Sequence, residues 1–165
     1  LISPLPVPKL EYGQKKYPDI KLEVGVAEQF KFETESKDVV LSFDLFEHII
    51  ESDKHLDEVF RVLKPNGYYL LQTPNKYSNA IYSTIKSHGF GWKISHPSLH
   101  SYRELRNRFN KHGFNCNFIK MDPVNKFTLQ KFNGLGPLKW IFKHLVFSRL
   151  PLDLQTNFYV VAKKR

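Results

Sequence analysis

Residues 38–75 read DVVLSFDLFEHIIESDKHLDEVFRVLKPNGYYLLQTPN, two apolar runs joined by one amphipathic stretch. The first run, DVVLSF (38–43), is short, continuous and rich in apolar residues, the pattern of a strand covered on both faces. From about Asp53 the period changes: Leu56, Val59, Phe60 and Leu63 form one stripe of a helix started by Ser52 or Asp53. Lys64-Pro65-Asn66-Gly67 stops that helix, and YYLLQTP (68–74) predicts a second buried strand. Strand, helix and strand in this order make the right-handed crossover of a parallel sheet.

The polar residues of the stretch collect where its first strand ends. Phe43-Asp44 closes the strand, and Glu47-His48 follows shortly after. Ligands of open α/β sheets sit at the carboxyl ends of the strands, so these four residues are candidates for a site. Phe43 either caps the core or offers its ring to a ligand, where a cation gains about 0.5–2 kcal/mol. Glu47 is placed to favour a helix N-terminus. His48 either packs under the loop or acts as a general base near neutrality.

Working outward, KLEVGV (21–26) reads as a short strand after the turn YPD (17–19), and residues 77–86 as a further helix. Ser101 and Glu104 form a capping box for a helix over 102–112, with Tyr102, Leu105, Phe109 and His112 on one face. Gly113 ends it, FNCNFIKM (114–121) follows as a strand, and NFYVVAKK (157–164) as a closing strand. Pro137 starts a helix over LKWIFKHLVF (138–147), with Trp140 and Phe147 opposite its main apolar stripe. These elements predict an α/β layered domain with a mostly parallel sheet and an antiparallel closing strand.

At 165 residues the chain is the size of one domain, 1–165. Its 25 Lys and Arg against 16 Asp and Glu give a formal charge of +9. The excess is uneven: residues 1–100 carry 12 basic and 13 acidic residues, residues 101–165 carry 13 and 3. Such asymmetry suits either an anionic partner or a solvated basic face. Arg103, Arg106, Arg108, Lys111 and the terminal Lys-Lys-Arg are the residues a nucleic acid would meet, although no recognised nucleic-acid motif accompanies them. The lone Cys116 has no partner for an internal disulfide, and no apolar run approaches the roughly 18 residues of a membrane span. A soluble, cytoplasmic protein is expected. His96 and His100 have helical metal spacing, but Pro97 interrupts it and no third ligand is evident, so no metal is predicted.

The order SKDVVLSFDLFEHI, an amphipathic helix ending RVLKPNG, then YYLLQTPN closely resembles the second half of class I S-adenosylmethionine-dependent methyltransferases, the type 11 group above all. GVAEQFKF (25–32) and HSYRELRNRFNKHGFN (100–115) resemble further segments of that family, and residues 2–24 resemble its second strand, helix and third strand. The resemblance implies a Rossmann-like fold, S-adenosylmethionine as cofactor, and methyl transfer to a small-molecule, lipid-like or glycan-like acceptor. It places Ser42, Phe43 and Asp44 along the methionine and sulfonium region and Ala27 and Glu28 near the adenine. It weakens over 122–156, which is expected to be a variable lid or acceptor-side insertion.

The family's first strand, its GxGxG turn and the carboxylate that binds ribose have no counterpart here, and Val26 stands where the family has an acid. In the family's strand order 3-2-1-4-5-7-6 this leaves the 39–43 strand with an open apolar edge. The chain is therefore expected to be part of a longer enzyme, or else a catalytically inactive module. The open edge would receive a second copy or a partner chain. The aromatic helix 138–147 and residues 75–100 would form an apolar acceptor pocket, pack into the domain, or rest on a membrane surface.

Overall fold

The computed structural model describes residues 2–3, 7–80, 97–121, 140 and 147–165. Strands β1 (Ile2–Ser3) and β2 (Glu23–Val24) pair in parallel, with helix α1 (Val7–Lys16) between them in the chain. A second sheet holds β3 (Lys37–Phe43), β4 (Leu63–Pro74), β5 (Phe114–Ile119) and β6 (Asn157–Lys164), in the order β3-β4-β6-β5. β3 and β4 are parallel, with Val39 opposite Tyr68 and Phe43 opposite Gln72. β6 runs antiparallel to β4 and β5, so the closing strand reverses as the sequence predicts.

Helix α2 (Ser52–Val62) connects β3 to β4, and α3 (Tyr102–Lys111) precedes β5. The Ser101 hydroxyl accepts from the Glu104 N–H, and the Glu104 carboxylate accepts from the Ser101 N–H at 2.7 Å, completing the capping box. Both helices cover one face of the main sheet. Leu56 and Val59 of α2, Leu105 and Phe109 of α3, Tyr69 and Leu71 of β4, Phe114 of β5 and Phe158, Val160 and Ala162 of β6 form one buried core. Tyr69 stacks on Phe109 at 5.8 Å, and Phe60 meets Phe114 edge-on at 5.4 Å. Arg108, Lys111 and His112 pair with Asp53, joining the two helices across this core.

Gly113 ends α3 with φ of 83°, a left-handed conformation, at a place where a Cβ would lie 2.8 Å from the Phe60 ring. Gly67 is required by close approach, since a Cβ there would lie 2.9 Å from the Lys64 carbonyl oxygen and 3.0 Å from that of Asp38.

Several expectations need correction. The 21–26 strand contracts to Glu23–Val24, because Val26 bridges to Gln29 and the chain turns at once. Leu63 starts β4 rather than extending the helix, and its carbonyl accepts from the Lys164 ammonium at 2.7 Å. The helix does end before Lys64–Gly67, but that segment, with Asn66 at φ of 64°, already belongs to β4 ahead of the expected strand start at Tyr68. Among the described residues β3 is covered on one face only: Ser42 is buried and Val40 packs against the core, but Val39, Leu41 and Phe43 are 48%, 59% and 62% exposed. The helices α2 and α3 supply cover to the first face alone.

Among the described residues β3 pairs with β4 and has no partner on its other side. Residues 76–80 are helical, and the rest of the 77–86 helix lies outside the described residues, as does the 138–147 helix apart from Trp140 and the short turn beginning at Phe147. Most of 122–156 is likewise outside them; Phe147–Arg149 and Leu152–Leu154 form single 3-10 turns.

Candidate functional site

A cavity of about 680 Å³ follows the open side of β3. The segment 25–32 forms its loop wall through Ala27 and Glu28, while Val40, Ser42, His48 and His55 line the remainder. The size falls within the range of small-molecule sites, roughly 300–1,000 Å³.

Helix α2 fixes the loop wall through three polar side chains one turn apart. The His55 Nδ1–H donates to the Ala27 carbonyl at 2.7 Å. The Glu58 carboxylate accepts from the Phe30 N–H at 2.8 Å. Arg61 donates to the carbonyls of Phe32 at 3.0 Å and Phe30 at 3.2 Å, and grips Glu58 with two further bonds of 2.8 and 2.9 Å. The Arg61 guanidinium in turn holds the Glu58 carboxyl below its ordinary value.

Beneath the cavity lies a buried polar pair. The Tyr69 hydroxyl donates to His55 Nε2 at 2.9 Å, and both residues are buried. Burial pushes the Tyr69 ionisation up and that of His55 down, which keeps both neutral. Ser42 Oγ is buried and faces Tyr69 without closing a hydrogen bond, so a polar atom of the floor has no partner among the described residues.

The carboxyl end of β3 forms the rim. Asp44 adopts φ of 46°, with its N–H bonded to the carbonyl of Gln72 and its carboxylate to the Gln72 side-chain N–H₂ at 2.9 Å. A left-handed conformation in a non-glycine residue is a strained feature of the kind found at ligand sites. Glu47 is 2% exposed and accepts from the Thr73 hydroxyl at 3.1 Å; burial raises its carboxyl above the ordinary value, against the opposing pull of Thr73 and His48. It lies in a 3-10 turn, Phe46–His48, rather than at the start of a long helix. His48 does not pack beneath the loop: its side chain is half exposed, with Nε2 3.9 Å from the Glu47 carboxylate.

The structure therefore brings Ala27, Glu28, Ser42 and His48 together around one cavity. Phe43 and Asp44 do not line it. Phe43 faces the uncovered side of the sheet, and Asp44 is held by Gln72 at the rim. Sequence reasoning missed His55, Glu58, Arg61 and Gln72. The 55, 58, 61 spacing was a legible signal, since residues three apart share a helix face, but its target was not.

A second hollow of about 410 Å³ lies between the start of α2 and residues 97–100. Its His100 is buried and pushed down to about 4, chiefly by burial and then by the Arg108 charge. Of the basic residues, Arg108 and Lys111 are committed to Asp53 and Arg106 donates to the Tyr102 hydroxyl, so part of the expected anion surface is used internally. Burial lifts the Cys116 thiol to about 12, which removes it as a nucleophile. No cluster of three metal-ligating side chains occurs among the described residues, and His96 lies outside them.

Residues 4–71 match the model of the methyltransferase domain family. A probable S-adenosylmethionine-dependent methyltransferase of Mycolicibacterium smegmatis is 34% identical over 61 residues, which are 37% of this chain and 24% of that protein. An uncharacterized methyltransferase of Schizosaccharomyces pombe is 39% identical over 61 residues, again 37% of this chain and 24% of the relative. The matches thus span about a quarter of those relatives. Among solved structures, a methyltransferase of Thermotoga maritima described as a possible histamine N-methyltransferase aligns with 99% of this chain and 72% of its own, at a TM-score of 0.67 and 16% identity. A Haloferax volcanii methyltransferase complex with an activator protein aligns at a TM-score of 0.70 and 15% identity, over 98% of this chain and 70% of the other. Residues 4–71 are thus similar to methyltransferase domains, and the fold is that of solved S-adenosylmethionine-dependent methyltransferases. A geranyl diphosphate methyltransferase solved in complex with S-adenosylmethionine aligns with 99% of this chain and 67% of its own, at a TM-score of 0.62 and 14% identity. The cavity runs along β3 to the strand's carboxyl end, where α/β sheets receive ligands.

Proposed function

We propose that this domain contributes to methyl transfer from S-adenosylmethionine to a small-molecule, lipid-like or glycan-like acceptor, as part of a longer enzyme. The observation that carries the reading is the buried Ser42 hydroxyl, without a hydrogen-bond partner among the described residues, in the lining of a cavity of about 680 Å³ along β3. A buried polar group without a partner is satisfied by a ligand that brings one. The residues present fit the adenosine side of the cofactor: Ala27 and Glu28 form the wall, Glu28 supplies an acceptor, and Ser42 supplies a hydroxyl. The cofactor provides an electrophilic methyl group. The protein's part is orientation and exclusion of water, with His48 at the mouth as acceptor-side base and Phe43-Asp44 at the rim. In this reading residues 122–156 serve as the acceptor-side lid, and the protein works in the cytoplasm. No helix among the described residues is long and apolar enough to cross a membrane.

Calorimetry with S-adenosylhomocysteine tests it. Binding that weakens in Ser42→Val and Glu28→Gln is expected; no heat at millimolar ligand from the folded chain refutes cofactor binding by this domain alone.

The open edge of β3 favours a second reading, a module that pairs with another chain. Val39, Leu41 and Phe43 present an exposed apolar row beside it, and such edges invite strand pairing. Light scattering distinguishes the two, because this reading requires an assembly that Leu41→Lys disperses. A monomer with measurable cofactor affinity counts against it.

A further inference from the structure

His55 differs from the two other residues through which α2 holds the loop wall. Glu58 and Arg61 form an ion pair open to solvent, with side chains 20% and 34% exposed. His55 is 1% exposed and sits among rings, with Phe30, Phe46 and Tyr69 at 5.9, 5.9 and 5.8 Å. Its two nitrogens face partners of fixed polarity. A carbonyl can only accept, so the proton bonded to Ala27 must reside on Nδ1. A neutral imidazole then has only an acceptor at Nε2, which the Tyr69 hydroxyl meets by donating.

We propose that His55 is the positioning residue for the adenine side of the cavity: by holding the Ala27 carbonyl it sets the backbone of the loop wall before any ligand arrives. The loop is short and closes on itself through the Gln29 N–H to Val26 carbonyl bond at 3.2 Å, so fixing Ala27 fixes its neighbours. Ala27, Glu28 and His55 all line the cavity, and displacement of the 27–28 backbone therefore changes its width. Tyr69 acts one step behind: it locks the imidazole in the tautomer that the carbonyl requires, the arrangement that orients catalytic and ligating histidines generally. This inference deepens the cofactor reading and rests on it for the identity of the ligand, but the positioning itself is a property of the free protein.

Three measurements test it. Proton–nitrogen NMR of the free protein at about pH 7 should show His55 as the neutral Nδ1–H tautomer; an Nε2–H tautomer or an imidazolium overturns the proposal. His55→Leu should speed amide exchange at Gln29 and Phe30, whose N–H groups bond to Val26 and Glu58, about tenfold relative to β4 and β6, while His55→Asn, which keeps a donor near the Nδ1 position, should restore protection. Exchange unchanged at Gln29 and Phe30, or raised equally throughout, overturns it. S-adenosylhomocysteine affinity should fall about tenfold in His55→Leu and recover in His55→Asn; equal affinity in all three proteins overturns it. If His55→Leu does not fold, the tautomer and the Asn variant decide. Failure of the parent protein to bind S-adenosylhomocysteine would count against the cofactor reading, while tautomer and exchange still judge His55.

Discussion

Replacing Glu104 by Gln should make the stability of the domain lose one of its pH dependences. The Glu104 carboxylate accepts from the Ser101 N–H at 2.7 Å, the Ser101 hydroxyl at 2.9 Å and the Lys76 ammonium at 2.9 Å. Burial alone would raise its pKa, yet these partners together bring it from 4.5 to about 2. That drop corresponds to at most about 3.4 kcal/mol, taking about 1.36 kcal/mol per pH unit. The side chain is 48% exposed, so solvent screening reduces the expected value to about 1–1.5 kcal/mol. Because the folded-state pKa is the lower one, the contribution is complete above about pH 4.5 and disappears as pH falls toward 2. Urea unfolding of the parent and E104Q at pH 7, 4 and 2.5 measures it. The variant should be about 1–1.5 kcal/mol weaker at pH 7, with the gap closing on acidification. A gap that does not change with pH, or one below about 0.3 kcal/mol at pH 7, would refute the reasoning.

Arg61→Met removes the guanidinium from Phe30, Phe32 and Glu58, and should cost about 2 kcal/mol in urea unfolding. A variant as stable as the parent would show that the loop wall stands without it. Glu47→Gln should leave the domain as stable or more stable at neutral pH. The folded-state pKa of Glu47 is raised, so native stability falls as pH rises from 4.5 through that value, and the amide escapes this loss; thermal unfolding at pH 4 and 7 checks the sign. Gly113→Ala should cost about 1–3 kcal/mol, since its φ is 83° and the new Cβ would lie 2.8 Å from Phe60 Cε2; a neutral result in urea unfolding would contradict it.

Local patterns carried much of the fold. The Ser101/Glu104 box, the Leu56/Val59 stripe and the DVVLSF and YYLLQTP runs each produced the predicted kind of element, because capping, helical period and strand burial act between near neighbours. The candidate site was legible in part. Ala27, Glu28, Ser42 and His48 share a cavity, but the hydrogen bonds that shape it link residues 28 apart, His55 to Ala27 and Phe30 to Glu58, a separation no local pattern reports. The exposure of Val39, Leu41 and Phe43 was hidden for a related reason. A continuous apolar run looks the same whether both faces or one are covered.

By itself the sequence determined the methyltransferase resemblance, the order of strands and helices, and the strand end where a ligand would sit. Tertiary structure decided what those residues do there. It buried Glu47 beside Thr73, turned Asp44 onto Gln72, left Ser42 without a partner among the described residues and set His55 between the Ala27 carbonyl and the Tyr69 hydroxyl. Each of these depends on which donor and acceptor meet in a space closed to water, and only packing of distant segments creates that space.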